Sequence, residues 1–433
     1  MRYVKGIFAA AGRWHFRHLA ETCGALPFNA AKSASRKCNW AMEKNMAMPP
    51  LWPDEAELGE RIERLRANMA DAGIDAMVLT SRQNFEYYSG FRTLFWTSDT
   101  RPLLAIARRD RAGIAIIINS SEERNAQAWP NRHVQPVYYH GYTDVAVSAA
   151  GEFLSDLPAG AAVGFDYGLD MFGRGSIALI DYFRAAPRNF RLSDQADLIW
   201  RQRLIKSRHE LDTKREVCRI ATESFFAGLA DLRIGMNEYE FGQLLKQRMI
   251  GLGADSVDWL PVRFDPAGKS YAQPNYDFRL ARDNFIWVDM GARRADQISD
   301  LDRVAKVGKA TPGQEDLYGF VRSVTLRLAE KIRPGMTGEK VYHLFEELWS
   351  ERNLSRLTAA GRVGHGSGIA LTEPPSLMAG SNEIILEDMV LHLEPKLEMA
   401  GGVYQTEEVI RVTKTGPEFL SDIAPERLPI VDL

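Results

Sequence analysis

Residues 285–302 read Phe285-Ile286-Trp287-Val288-Asp289-Met290-Gly291-Ala292-Arg293-Arg294-Ala295-Asp296-Gln297-Ile298-Ser299-Asp300-Leu301-Asp302. The first four residues are apolar and strand-like, which puts Asp289 at a strand end. Gly291 marks a turn, and Ile298 to Asp302 reads as the returning strand. Such a hairpin brings Asp289 and Asp300 near one another. Like charges that close are costly unless a cation neutralises them.

Further carboxylates and an imidazole follow in order. His365 lies in Gly364-His365-Gly366-Ser367-Gly368, where glycines permit close approach beside the ring. Glu394 follows Leu391-His392-Leu393, and Glu407 precedes Val409-Ile410-Arg411-Val412, both in strand-like surroundings. Asp289, Asp300, His365, Glu394 and Glu407 make a hard, oxygen-rich ligand set with one nitrogen. It suits one or two ions of Mn(II), Fe(II), Co(II) or Zn(II). Two close ions are a recurring means of activating water for hydrolysis. Singly, each residue reads more readily as a turn acid or a hydrogen-bonded histidine; the ordered set carries the reading. His392 and Glu394 share a strand face, so His392 either points into the same cleft or makes a buried hydrogen bond. Glu408, Asp296 and Glu373 read as solvated or supporting groups.

The rest of the chain alternates helices and strands. Leu58, Ile62, Leu65 and Met69 form one apolar helical stripe that starts at Pro53 to Asp54 and stops at Gly73. Ile74 to Leu79, Ile114 to Ile118 and Ala162 to Phe165 read as strands, with helices around Ser121 to Ala128 and Ser176 to Ala185. This predicts an α/β layer domain over 53–205 and a second domain over 206–433. The second shows an internal echo. Arg233-Ile234-Gly235-Met236-Asn237 recurs as Arg333-Pro334-Gly335-Met336-Thr337, each copy between two long helices. A duplicated α/β half is the expectation, with a cleft between the halves.

At 433 residues, 45% hydrophobic and 26% charged, the chain has an ordinary globular balance with room for two cores. A net charge of −3 gives no pull toward nucleic acid or anionic membrane. No apolar run approaches the roughly 20 residues that span a bilayer. Three cysteines make no disulfide framework, consistent with a reducing, cytoplasmic setting. Residues 1–48 are basic and acid-poor. They read as a poorly ordered extension, either an organellar transit segment or, by preference, sequence upstream of a later start at Met46 or Met48.

The pattern D-x10-D, GHGxG, EP and E-x5-T resembles the pita-bread metallopeptidases of family M24: methionine aminopeptidase, aminopeptidase P and prolidase. Tyr87 to Phe91 (YYSGF) resembles the front domain of the prolidase and aminopeptidase P branch, and the likeness spans about 53 to 420. The resemblance implies an α/β (α+β) pita-bread catalytic domain with pseudo-twofold duplicated halves behind a creatinase/prolidase-like α/β N-terminal domain. It implies that Asp289 binds one ion through two oxygens. Asp300 and Glu407 would bridge two ions, and His365 and Glu394 would complete one of them. It also implies a homodimer in which one subunit edges the other's cleft.

Four positions depart from the family. Asn275 stands where a histidine precedes the first aspartate, and Thr372 stands seven residues after the metal histidine, where another is usual. In the peptidases those histidines contact substrate and the reacting carbonyl; Asn and Thr donate hydrogen bonds but carry no charge. Gln405 replaces a frequent arginine. Asp302 takes the place of a hydroxyl residue; it binds metal, salt-bridges Arg303 or alters which ion is preferred. The expectation is a Mn(II)-preferring hydrolase of a small peptide-like amide, of Xaa-Pro aminopeptidase or dipeptidase type, with Glu394 as proton shuttle and Asn275, Thr372 and His392 at the substrate. The alternatives are a metal-dependent lyase on a zwitterion such as dimethylsulfoniopropionate, with Trp96, Trp259 or Tyr276 holding its cation, and a creatinase-like hydrolase of a small amide. A non-enzymatic binding module would have lost ligands, and all five are present.

Overall fold

The computed structural model describes residues 52–168, 171, 173–174, 176–264, 273–352, 354, 361–399 and 402–433; the basic segment 1–48 lies outside them. The apolar stripe forms a helix over Glu55–Asp71, capped by the Asp54 side chain, with Leu58, Ile62, Leu65 and Met69 buried. Gly73, at φ 69°, ends it in the left-handed region.

The front layer is a six-stranded sheet of β1 (Ala76–Leu79), β2 (Leu104–Arg108), β3 (Ile114–Asn119), β4 (Val134–Tyr139), β5 (Ala162–Phe165) and β6 (Arg191–Asp194), in the order β4-β3-β2-β1-β5-β6. Its central strands are apolar on both faces because both are covered. Met77 and Leu79 enter one core while Ala76 and Val78 enter the other.

Behind it, the helices Arg208–Leu229 and Glu238–Gly251 form one pair, and Pro312–Lys331 and Gly338–Trp349 form another. Between them lie β7 (Ser256–Trp259), β8 (Val262–Phe264), β9 (Phe285–Asp289), β10 (Gly291–Arg294), β11 (Gln297–Ile298) and β12 (Asp302–Val307). With these lie β13 (Gly364–Gly366), β14 (Glu373–Ser376), β15 (Val390–Leu393), β16 (Lys396–Met399), β17 (Gly402–Gln405), β18 (Glu408–Val412), β19 (Pro417–Phe419) and β20 (Ile430–Val431). Strand β9 is sandwiched: Ile286 and Val288 pack with Ile220 and Phe241 of the first helix pair, and Phe285 and Trp287 with Val324 and Val341 of the second. The returning strand starts at Asp302, where the sequence reading ends it. Its charged Arg303 and Lys306 are buried, so its strand character is masked in composition.

The sequence echo is also a hydrogen-bond echo. Gly235 N–H donates to Leu280 O and Gly335 N–H to Ile385 O, both at 2.8 Å. Leu280 N–H returns to Met236 O and Ile385 N–H to Met336 O, again at 2.8 Å. Both glycines have positive φ, 87° and 92°, so the motif needs glycine there. The fold is a duplicated α/β pita-bread unit with an α/β layer in front. Among the described residues, no helix is long and apolar enough to cross a membrane.

Buried ion pairs tie front to back. Arg61, on the first helix, lies 2.9 Å from Asp296 in the β10–β11 turn. Glu373 is paired with Arg203 and, at 3.0 Å, with Lys206, all almost fully buried. Glu373 is therefore a structural counter-ion and not a solvated group. Burial alone would raise its pKa, but Lys206 and Arg203 outweigh burial and hold it at about 2. Removing it strands two buried cations. Glu373→Ala should cost about 3–5 kcal/mol in urea unfolding at pH 7. Because the folded pKa lies below the unfolded value of roughly 4.3, the stabilisation is complete above that pH and fades as pH falls toward 2. A variant within about 0.5 kcal/mol of wild type at pH 7, the size of an ordinary surface change, would contradict the assignment.

Candidate metal centre

Strand register collects the acids. In the β9–β12 pair, Asp289 stands opposite Asp302. In the β13–β15 pair, His365 stands opposite His392, and their rings stack 5.2 Å apart at 7°. The chains approach so closely here that a Cβ on Gly364 would lie 2.1 Å from His392 O, and one on Gly366 2.0 Å from Pro374 O. The glycines flanking His365 are thus a steric requirement of the site. Glu394 and Glu407 sit immediately after β15 and immediately before β18.

Asp289 Oδ2 accepts from the Trp259 indole N–H at 2.6 Å, and its Oδ1 has no hydrogen-bond partner among the described residues. Asp300 Oδ2 lies 3.3 Å from His365 Nε2, which is 3.8 Å from Glu394 Oε1. His365 Nδ1 is 2.8 Å from Gly366 O, an acceptor only, so Nδ1 carries the proton and Nε2 keeps its lone pair. Glu407 spans the centre: Oε1 is 2.7 Å from His392 Nδ1, and Oε2 accepts the Asp302 N–H at 2.8 Å. Ligand atoms of Asp289, Asp302 and Glu407 lie within 4.8 Å of one another, as do those of Asp300, His392 and Glu407.

All five residues expected as ligands therefore meet, and Asp302 and His392 join them. His392 combines both readings offered for it, since it is buried, hydrogen-bonded and part of the cluster. Thr372 is exposed and accepts from Arg362 at 3.4 Å; Arg362 lies 3.7 Å from Glu394. It thus stands on the rim of the centre. Asn275 is engaged elsewhere. Its side-chain oxygen accepts the Asp277 N–H at 2.7 Å, and its backbone N–H donates to Glu238. These bonds close an Asx turn through the side-chain oxygen and do not use the side-chain amide N–H donors that a substrate-facing role would call on. Among the aromatics, Trp259 touches the centre, Trp96 packs edge-on against Phe85, and Tyr276 stacks on Tyr239 at 4.3 Å.

The sequence reading missed Lys214, Arg362 and Lys396. Lys214 is fully buried and donates to Ser367 Oγ at 2.9 Å, pinning the glycine-rich strand. Its helical spacing alone reads as surface, which hid it. Gln405 is buried, accepting from Trp287 Nε1 at 2.7 Å and donating to Glu394 O at 3.4 Å.

The electrostatics favour cations. Burial, reinforced by Glu394 and Asp302, pushes Asp300 up to about 8. Burial and neighbouring carboxylates also hold Asp289, Asp302 and Glu407 well above the usual range. Burial lowers His365 and His392, leaving neutral imidazoles, the form that binds metal. A buried ring of acids with unpartnered oxygens beside neutral imidazoles fits one or two divalent ions.

Comparisons with known proteins agree. Residues 212–414 match the model of metallopeptidase family M24, and residues 61–205 match that of the creatinase/prolidase N-terminal domain. The Xaa-Pro dipeptidase of Pyrococcus furiosus is 25% identical over 265 residues, covering 60% of this chain and 75% of that protein. The solved Xaa-Pro dipeptidase from Bacillus anthracis superposes with a TM-score of 0.74 at 23% identity, over 86% of this chain and 99% of that one. The X-Pro aminopeptidase from Thermotoga maritima gives 0.72 at 20%, over 86% and 99%.

The pKa directions predict a metal-dependent stability profile. An acid with a raised folded pKa binds more protons folded than unfolded, so stability falls as pH rises through that pKa. The lowered histidines act oppositely, but only below their unfolded value of roughly 6.5. Between about 6.5 and 8 the acids dominate, and Lys214, lowered to about 8 by burial, acts oppositely only at the upper end. The Tm of chelator-treated protein should fall across this window, and saturating Mn(II) should abolish the fall. A metal-free Tm that is flat or rising there would refute the picture.

Proposed function

We propose that this chain, which belongs to metallopeptidase family M24, hydrolyses an amide bond in a small peptide of Xaa-Pro type. The observation that carries the reading is the convergence of Asp289, Asp300, His365, Glu394 and Glu407 in one buried centre. Those five would hold one or two divalent ions, Mn(II) by preference. When bound, the ions supply Lewis-acid polarisation of the carbonyl and a water of lowered pKa.

The protein's own groups position that chemistry. Glu394, 8% exposed and beside Arg362, reaches the open side of the centre. It takes the proton of the attacking water and delivers it to the departing amide nitrogen. His392 holds Glu407 in one orientation through their 2.7 Å hydrogen bond. Arg362 and Thr372 border the substrate side, and Trp259 fixes the Asp289 carboxylate. A cytoplasmic homodimer remains our expectation for the assembly.

A second reading keeps the centre and changes the substrate. Asn275 is tied into its own turn, and neither it nor Thr372 can supply the imidazolium expected at a peptide carbonyl. A small non-peptide amide or a zwitterion is then the substrate class.

Mn(II)-loaded protein, assayed on a panel of Xaa-Pro di- and tripeptides, decides between the two. Under the first reading, turnover is robust, and Glu394→Gln lowers kcat by about 10²–10⁴-fold while the metal is retained. Asp300→Ala should lose metal and activity together. Full activity in metal-depleted Asp300→Ala would sink the mechanism. Silence on every peptide by demonstrably metal-loaded wild type would move the substrate to the second class.

A further inference from the structure

We infer that Asp302 is a sixth metal ligand, additional to the five that the motifs define. The inference rests on the metal-centre reading above. Three observations carry it. Asp302 is 1% exposed, and neither carboxylate oxygen has a hydrogen-bond partner among the described residues. A buried carboxylate without donors is costly unless it is neutralised by other means. One of its oxygens lies within 4.8 Å of ligand atoms of both Asp289 and Glu407.

The neighbouring cations do not explain it: buried Lys396 favours the ionised form of Asp302, yet burial still holds its pKa well above the usual range and neither oxygen accepts a hydrogen bond. Arg303 donates to carbonyl oxygens of Asp302, Glu407 and Asp422 and lies 3.5 Å from Glu408, so its guanidinium is spent away from the Asp302 carboxylate. A simple salt bridge to Arg303 is thus excluded as the reason for an acid here.

Internal symmetry supplies the third observation. In the first half, Asp289 ends β9 and pairs in register with Asp302. In the second, Leu393 pairs with Glu408, so the next step of the same register sets Glu394 opposite Glu407. Asp289 to Glu394 and Asp302 to Glu407 are each 105 positions apart. Asp302 is the counterpart of Glu407, and the two halves present matching pairs of acids.

The consequence is two unlike ion positions. One is walled by Asp289, Asp302 and Glu407, all oxygen. The other is walled by Asp300, His392 and Glu407, with His365 beside Asp300. Hard ions such as Mn(II) suit the first, and the imidazole-bearing position suits Zn(II).

The test uses full-length protein and metal alone. Crystals equilibrated with Mn(II) and Zn(II) together, with anomalous data collected at both edges, should show one ion of each kind. An Asp302 oxygen should lie about 2.0–2.2 Å from the first ion, an ordinary metal–carboxylate distance. In solution, Asp302→Ser, which restores the hydroxyl usual in the family, should release one of the two ions at a lower chelator concentration than wild type. An Asp302 carboxylate more than about 3 Å from both ions, or Asp302→Ser retaining two ions at wild-type affinity, overturns the inference and leaves the five-ligand centre standing. Should Asp302→Ser fail to fold, the wild-type diffraction decides alone. Wild type that binds neither ion overturns both the inference and the reading beneath it.

Discussion

Strand register forces carboxylates together, and everything else at this centre answers that constraint. The β9–β12 pairing puts Asp289 opposite Asp302, and the β15–β18 pairing continues to Glu394 and Glu407. Backbone hydrogen bonds along these ladders fix the side chains to one face, so the acids cannot relax apart without breaking the sheets. Water is excluded by apolar cores on both sides of β9. Repulsion in such surroundings is met by protonation or by cations. Lys214, a fixed cation nearby, offsets little of it, since burial lowers it to about 8 and it is committed to Ser367 and backbone carbonyls.

Much of this was legible in the chain. The apolar stripe of Leu58, Ile62, Leu65 and Met69 is a helix because its spacing matches one face, and the duplicated pentamer marks two turns with the same hydrogen bonds. Asp289 at the end of Phe285–Val288 follows directly from strand patterning. The returning strand was harder. Its charged residues Arg303 and Lys306 have the composition of a surface, although both are buried. Charge buried by long-range pairing leaves no local signature, since Arg303 finds its partners near Glu407 and Asp422, far along the chain. The same applies to Glu373, read as a solvated or supporting group and found locked between Arg203 and Lys206.

The substrate-facing positions resisted sequence reading for another reason. Alignment of Asn275 to a motif histidine gives its place along the chain but not its side-chain direction. An asparagine two residues before an available N–H closes an Asx turn, and here it does so with Asp277. Thr372 keeps a link to the centre only through Arg362. The part of the site set by ladders was therefore readable, and the part set by loops was not.

The departures around the metal ligands act in one direction. The resemblance expects a hydroxyl residue at Asp302 and often an arginine at Gln405. This chain adds a negative charge at the first and removes a positive charge at the second. Gln405 is neutral and spends its amide on Trp287 and the Glu394 backbone. Bound cations are the largest local charges in such a site, and a more anionic wall attracts them more strongly. It also donates more electron density to them, which weakens their pull on a substrate carbonyl. Tighter metal and gentler polarisation would thus come from the same two substitutions.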